Sequence, residues 1–107
     1  MEISSALLAL NALSQETRLL VFKKLVEFGV SGVNAGDLAR ELNVPANTLS
    51  FHLAHLERAG LVKSTRQGRN INYCFNRTQM NELIGFLNEN CCVLEENIDC
   101  INNTKTC

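Results

Sequence analysis

Proline, long apolar runs and net charge are all scarce in this chain. One proline among 107 residues, 46% of them hydrophobic, fits a single compact domain with a modest core that a partner subunit would help to complete. The longest apolar stretches near the N-terminus, Ala6 to Leu10 and Leu19 to Phe22, are short and interrupted by polar residues. They argue against a targeting or membrane-spanning segment, so the expectation is a cytoplasmic protein with no membrane partner. There is no Cys-x-x-Cys pair and no phosphate-cradling loop. The late cysteines sit among acids at a helix C-terminus, which disfavours the thiolate a nucleophile needs, so the chain is not expected to be an enzyme.

The formal net charge of −1 hides an asymmetry. Residues 1 to 45 hold four Lys/Arg and five acids, residues 46 to 77 hold five and one, and residues 78 to 107 hold one and five. The central block is therefore about +4 and the tail about −4, which puts a footprint for phosphates in the middle of the chain.

Hydrophobic spacing gives the elements. Ile3, Ala6, Leu7 and Leu10 recur at i, i+3, i+4 and i+7, the stripe of a short amphipathic helix. Ser14 reads as the N-cap of a second helix that runs to Phe28 and is ended by Gly29, with Gly29 to Val33 as a connector. Asn34 reads as the cap of a third helix ending at Leu42. Val44 and Pro45 make a tight turn, because proline cannot continue a helix and pushes its predecessor out of helical geometry. A fourth helix over 46–59 has Leu49, Leu53, Leu56 and Ala59 on its inner face. Leu61 to Arg66 and Ile71 to Phe75 read as two strands joined by a Gly-containing turn, with Ile71, Tyr73 and Phe75 on one side. Asn76 or Thr78 caps a last helix whose stripe is Met80, Leu83, Ile84 and Leu87.

A short helix, a tight turn, a second helix and a basic hairpin, over 34–75, form the sequence pattern of a winged helix-turn-helix that reads double-stranded DNA. The expected fold class is mainly α with a small β-hairpin wing. Residues 1–90 form the DNA-binding and dimerisation domain, and residues 91–107 a cysteine-rich tail. The first and last helices each offer an apolar face that so small a domain need not bury internally, so a homodimer through those helices is expected. A recognition helix needs short polar side chains near its start and donors for phosphates. Asn47, Thr48, Ser50 and His52 are candidates for the first role, Arg58, Lys63, Arg66, Arg69 and Arg77 for the second, and Phe51 lies on the same outward face as a further DNA-binding candidate. The hairpin tip from Gln67 to Asn70 is placed to enter a minor groove.

Leu13, Ser14, Thr17, Arg18 and Leu19 open the second helix. The set continues with Leu38, Ala39, Leu42, Ser50, His52, Leu53, Leu56, Gly60, Leu61 and Val62, and with Gly68, Arg69 and Tyr73 of the wing. In these residues, over about 5 to 90, the chain resembles the ArsR/SmtB family of bacterial metal-responsive repressors. The resemblance implies a homodimer that holds operator DNA without ligand and leaves it when a metal or metalloid binds.

Five cysteines crowd the C-terminal third at Cys74, Cys91, Cys92, Cys100 and Cys107. In a reducing compartment they favour ligand or redox chemistry over structural bridges. The adjacent Cys91 and Cys92 supply two soft sulfurs with almost no loop closure, and Cys100 adds a third. Trivalent arsenic and antimony prefer three sulfurs in a pyramid. The Cys-x-Cys arsenic site at the start of the family's third helix is absent, since Asn34 and Gly36 stand there. The run from Phe86 to Cys92 instead looks like the subgroup that senses arsenic through a C-terminal cysteine pair and a third cysteine downstream. Here that third ligand is Cys100 or Cys107. The last helix holds no histidine, unlike the zinc sensors of the family, and Cys74 on the wing reads as a bystander. The implied inducer is arsenite, with trivalent antimony beside it. The alternatives are a repressor of the same fold that answers to thiol oxidation or to another soft metal such as cadmium, zinc or lead.

Overall fold

The computed structural model describes residues 1–95 and has the order α1 (Ile3–Leu13), α2 (Glu16–Phe28), β1 (Val33–Asn34), α3 (Ala35–Leu42), α4 (Ala46–Arg58), β2 (Val62–Gln67), β3 (Asn70–Phe75) and α5 (Arg77–Asn88). This is a winged helix-turn-helix, mainly helical, as the hydrophobic spacing predicts. Among the described residues no helix is long and apolar enough to cross a membrane.

Local chemistry explains most helix ends. Asn34 Oδ1 accepts the Asp37 N–H at 2.8 Å while Asn34 Nδ2 donates to the Asp37 carboxylate at 2.9 Å, a reciprocal cap at the start of α3. Asn43 takes the left-handed conformation that ends α3, with φ 54°, and Val44 N–H returns to the Ala39 carbonyl at 3.0 Å. Asn76 caps α5 by accepting from the Gln79 N–H, and its Nδ2 donates to the Gly60 carbonyl at 2.9 Å. One side chain thus starts the last helix and ties it to the end of α4.

Two local expectations need correction. Ser14 does not start α2; it closes α1, its hydroxyl donating to the Asn11 carbonyl at 3.0 Å, and Gln15 takes the N-cap role through Oε1 and the Arg18 N–H at 2.8 Å. The connector from Gly29 to Val33 ends in a two-residue strand. Val33 pairs with Tyr73 and Asn34 with Asn72, giving a three-stranded antiparallel sheet in the order β1-β3-β2. A strand that short has no periodicity to read.

The core sits where α2, α4 and β3 meet. Val21 and Leu25 from α2, Leu38 from α3, and Leu49, Leu53 and Leu56 from α4 are all essentially without solvent contact. Phe22 and Phe75 meet edge-to-face with centroids 6.4 Å apart. The first helix turns a different face inward from the expected stripe. Ala6, Ala9 and Ala12 are buried, whereas Ile3, Leu7, Leu8 and Leu10 stay exposed. On α5 Leu83 is buried and Met80 packs against the core, but Ile84 and Leu87 are exposed.

Gly32 marks the tightest approach. Its φ of 79° is left-handed, and a Cβ there would meet the Tyr73 carbonyl oxygen at 2.5 Å. Gly68 at the hairpin tip is also left-handed, with φ 63°, but has open space around it. Gly68→Ala is therefore expected to lose only the backbone preference, about 1–2 kcal/mol. Gly32→Ala should lose clearly more by displacing β1 from β3, as read by urea unfolding of the two variants side by side.

Candidate nucleic-acid interface and thiol pair

The second helix of the motif is held by one side and free on the other. Leu49, Leu53 and Leu56 recur at helical spacing and are buried. Asn47, Thr48, Ser50, Phe51, Ala54 and Arg58 are exposed on the remaining surface of α4. Its first turn follows the tight Val44-Pro45 turn, with the Leu49 N–H bonded to the Pro45 carbonyl at 2.9 Å. Asn47 Oδ1 accepts the Thr48 N–H at 3.0 Å, leaving the Asn47 amide NH2 to donate outward.

His52 departs from the sequence expectation. It follows Leu49 by three residues and so shares the inner face, and at 8% exposed it lies behind the strip that carries Asn47, Ser50 and Phe51. Its Nδ1 is buried with no hydrogen-bond partner. Desolvation pushes its pKa below the ordinary histidine value, helped by the nearby charges of Arg18 and His55. Arg18 is itself anchored, its Nε donating to the Ala12 carbonyl at 2.7 Å. The physical sense is that the imidazole is kept neutral on the inner face of α4, as a packing group.

The wing is a regular hairpin. Val62 faces Phe75 and the register runs to Gln67 opposite Asn70, with Gly68 and Arg69 between. A positive φ at Gly68 and none at Arg69 is the pattern of a type II′ turn, whose twist suits a hairpin. It carries Arg69 on the exposed tip, with Arg66 and Lys63 exposed along β2. Among the described residues the salt bridges engage Lys24 and Arg40. Arg58, Lys63, Arg66, Arg69 and Arg77 have no carboxylate partner there.

A clasp between helix and wing escaped the sequence. Ser64 Oγ donates to Glu57 Oε2 at 2.7 Å, linking the last turn of α4 to β2. Glu57 and Ser64 sit on different elements, so no helical or strand period signals the pair.

Beyond α5 the chain makes successive turns. Cys91 N–H bonds to the Asn88 carbonyl at 3.1 Å, Val93 N–H to Asn90 at 3.2 Å and Glu95 N–H to Cys92 at 3.1 Å. Asn90 and Cys92 both take left-handed φ, 61° and 62°. The Cys91 and Cys92 sulfurs are brought to 3.4 Å of each other, with Cys91 exposed and Cys92 half-buried. Among the described residues no group of three or more His, Cys, Asp or Glu converges. Cys100 and Cys107 lie outside the described residues. Cys74 is half-buried on β3 opposite Lys63.

Comparison with known proteins agrees with this geometry. Residues 13–65 match the family model described as a helix-turn-helix domain. The chain is 35% identical over 78 residues to the HTH-type transcriptional regulator YgaV of Escherichia coli K12, covering 73% of this chain and 77% of that protein. An ArsR-like transcriptional regulator from Rhodococcus sp. RHA1 superimposes with a TM-score of 0.75 at 26% identity, over 95% of this chain and 93% of that one. The homodimeric winged helix-turn-helix domain of Mb0332 from Mycobacterium bovis shares the fold, with a TM-score of 0.67 at 20% identity over 89% of this chain and 86% of that one.

Two outcomes follow from the site. A histidine whose folded pKa is depressed contributes stability that is present above its ordinary value near 6.5 and lost as pH falls. Between about pH 7 and 5 unfolding should therefore become easier, by no more than about 1.4 kcal/mol per pH unit for one proton, and His52→Gln should flatten that slope in urea titrations. At the wing, Arg69→Ala should reduce the salt slope of DNA binding by about one unit on a log-log plot, with little dependence on sequence. Fluorescence anisotropy on a labelled duplex reads this directly.

Proposed function

The chain belongs to the ArsR family of winged helix-turn-helix transcriptional regulators, and from that premise we propose that it is a metalloid-responsive repressor. It holds operator DNA as a homodimer and is released when trivalent arsenic, or antimony, binds C-terminal thiolates. The observation that carries the reading is the 3.4 Å separation of the Cys91 and Cys92 sulfurs at the end of α5. Thiolate softness selects for soft acceptors of this class. The third sulfur comes from Cys100 or Cys107, both outside the described residues.

The dimer is supported by the leucines that α1 turns away from its own core and by Ile84 and Leu87 on α5. Mb0332, of the same fold, is a homodimer. In this reading the thiol pair sits at the end of a dimer helix, so ligand binding there biases the spacing of the two recognition helices. A coupling of about 1–3 kcal/mol shifts occupancy some 5–150-fold. A full switch from 99:1 to 1:99 needs about 5.5 kcal/mol, within reach of two sites acting together.

The test is a native mass spectrum of the reduced protein offered arsenite and zinc together, followed by DNA release. Expected are a dimer, one arsenic per chain with loss of three thiol protons, and release of DNA by arsenite that Cys91→Ser abolishes. Preferred zinc uptake would reassign the signal to another soft metal. Release by stoichiometric peroxide with arsenite inert would reassign it to thiol oxidation.

A further inference from the structure

The exposed surface of α4 carries one side chain that does not fit a phosphate-gripping or hydrogen-bonding role. Phe51 is 62% exposed, although it lies between Ser50 and the buried His52 on the helix that faces DNA. It is not a loose ring. It meets the His52 imidazole in a T-shaped arrangement with centroids 5.5 Å apart and planes at 66°, and His52 is fixed in the domain by burial. The positions one turn on either side are Asn47 and Thr48 before it and Ala54 and His55 after it, and with 62% of Phe51 in solvent the ring keeps an open surface among them.

A phenyl ring can neither pair a phosphate nor donate to a base. In the major groove, guanine offers N7 and O6, adenine N7 and N6, and cytosine N4, all polar. Thymine alone adds an apolar group, its C5-methyl. Burying the open face of Phe51 against polar edges would strand their hydrogen bonds, whereas burial against that methyl removes apolar surface from water on both sides. Resting on the reading of this chain as a DNA-binding regulator, we infer that Phe51 is a specificity-determining residue that selects thymine through its C5-methyl group. A homodimer presents Phe51 once to each half-site, so one selected thymine is expected in each.

The experiment starts from duplexes enriched by the wild-type protein out of a random pool, then replaces each thymine in turn by deoxyuridine. This removes the methyl and leaves every hydrogen-bonding group in place. At one thymine per half-site wild-type affinity should fall about fourfold, the factor carried by one buried methyl-sized group. Phe51→Ala should bind the thymine duplex as weakly as wild type binds the uracil one, and should not distinguish the two. Phe51→Leu, which keeps an apolar side chain on an exposed position, should retain part of the discrimination. The inference is overturned if wild type tolerates deoxyuridine at every position, or if Phe51→Ala keeps the full wild-type discrimination. Tight, sequence-selective binding that ignores the methyl would sink this inference alone. Absence of any duplex binding at low salt would sink the DNA-binding reading with it.

Discussion

Everything the molecule presents outward depends on the inner face of α4. Leu49, Leu53 and Leu56 are buried to 1% or less against α2 and α3, and each such leucine contributes roughly 1.5–3 kcal/mol of burial. With that row fixed, helical periodicity alone decides that Asn47, Ser50 and Phe51 look away from the domain. The tight turn at Val44 and Pro45 sets where the helix begins, and the Glu57–Ser64 hydrogen bond sets where the wing leaves it. Reading strip and basic hairpin are thereby parts of one rigid surface rather than two independent patches.

A second constraint comes from size. With 107 residues the chain has little apolar material to spare, yet α1 spends alanines on its own core and turns its leucines outward. Alanines at i, i+3 and i+6 let the helix approach α2 and α4 closely. The leucines left over, with Ile84 and Leu87 of α5, form apolar surface that a monomer of this size would rarely expose. α5 is joined to the body through Leu83, Met80, Phe86 and the Asn76 bonds.

The legibility of the fold in the sequence follows the same physics. Helices with strong caps or punctuation were readable to within a residue or two: Asn34, the Val44-Pro45 turn, Asn76 and the terminating Gly29 each carry their own local mechanism. Ser14 misled because a serine between two helices can cap either, and only the extent of α1 decides which. β1 was invisible because two residues have no period, and it exists through pairing with a strand some forty residues away. In α1 the apolar pattern announced an amphipathic helix but not which side belonged to the domain. Hydrophobicity says that a face must be covered, without saying by whom. His52 was misassigned for the related reason that a polar side chain on an inner position looks, in a sequence, like one at the margin of the outer face.

The candidate ligand site rests on a different kind of signal: its chemistry is carried by identity, not by fold. Adjacent cysteines need no tertiary structure to be neighbours. The turn at Asn90 and Cys92, both held at positive φ, then decides how their sulfurs stand to one another. Left-handed backbone at a non-glycine residue costs of order 1–3 kcal/mol and persists where surrounding contacts over-determine it. Backbone bonds within 88–95 are among those contacts. The helix that carries Asn47, Ser50 and Phe51 is held differently: three leucines buried to 1% or less fix it, so its geometry cannot change without opening the core.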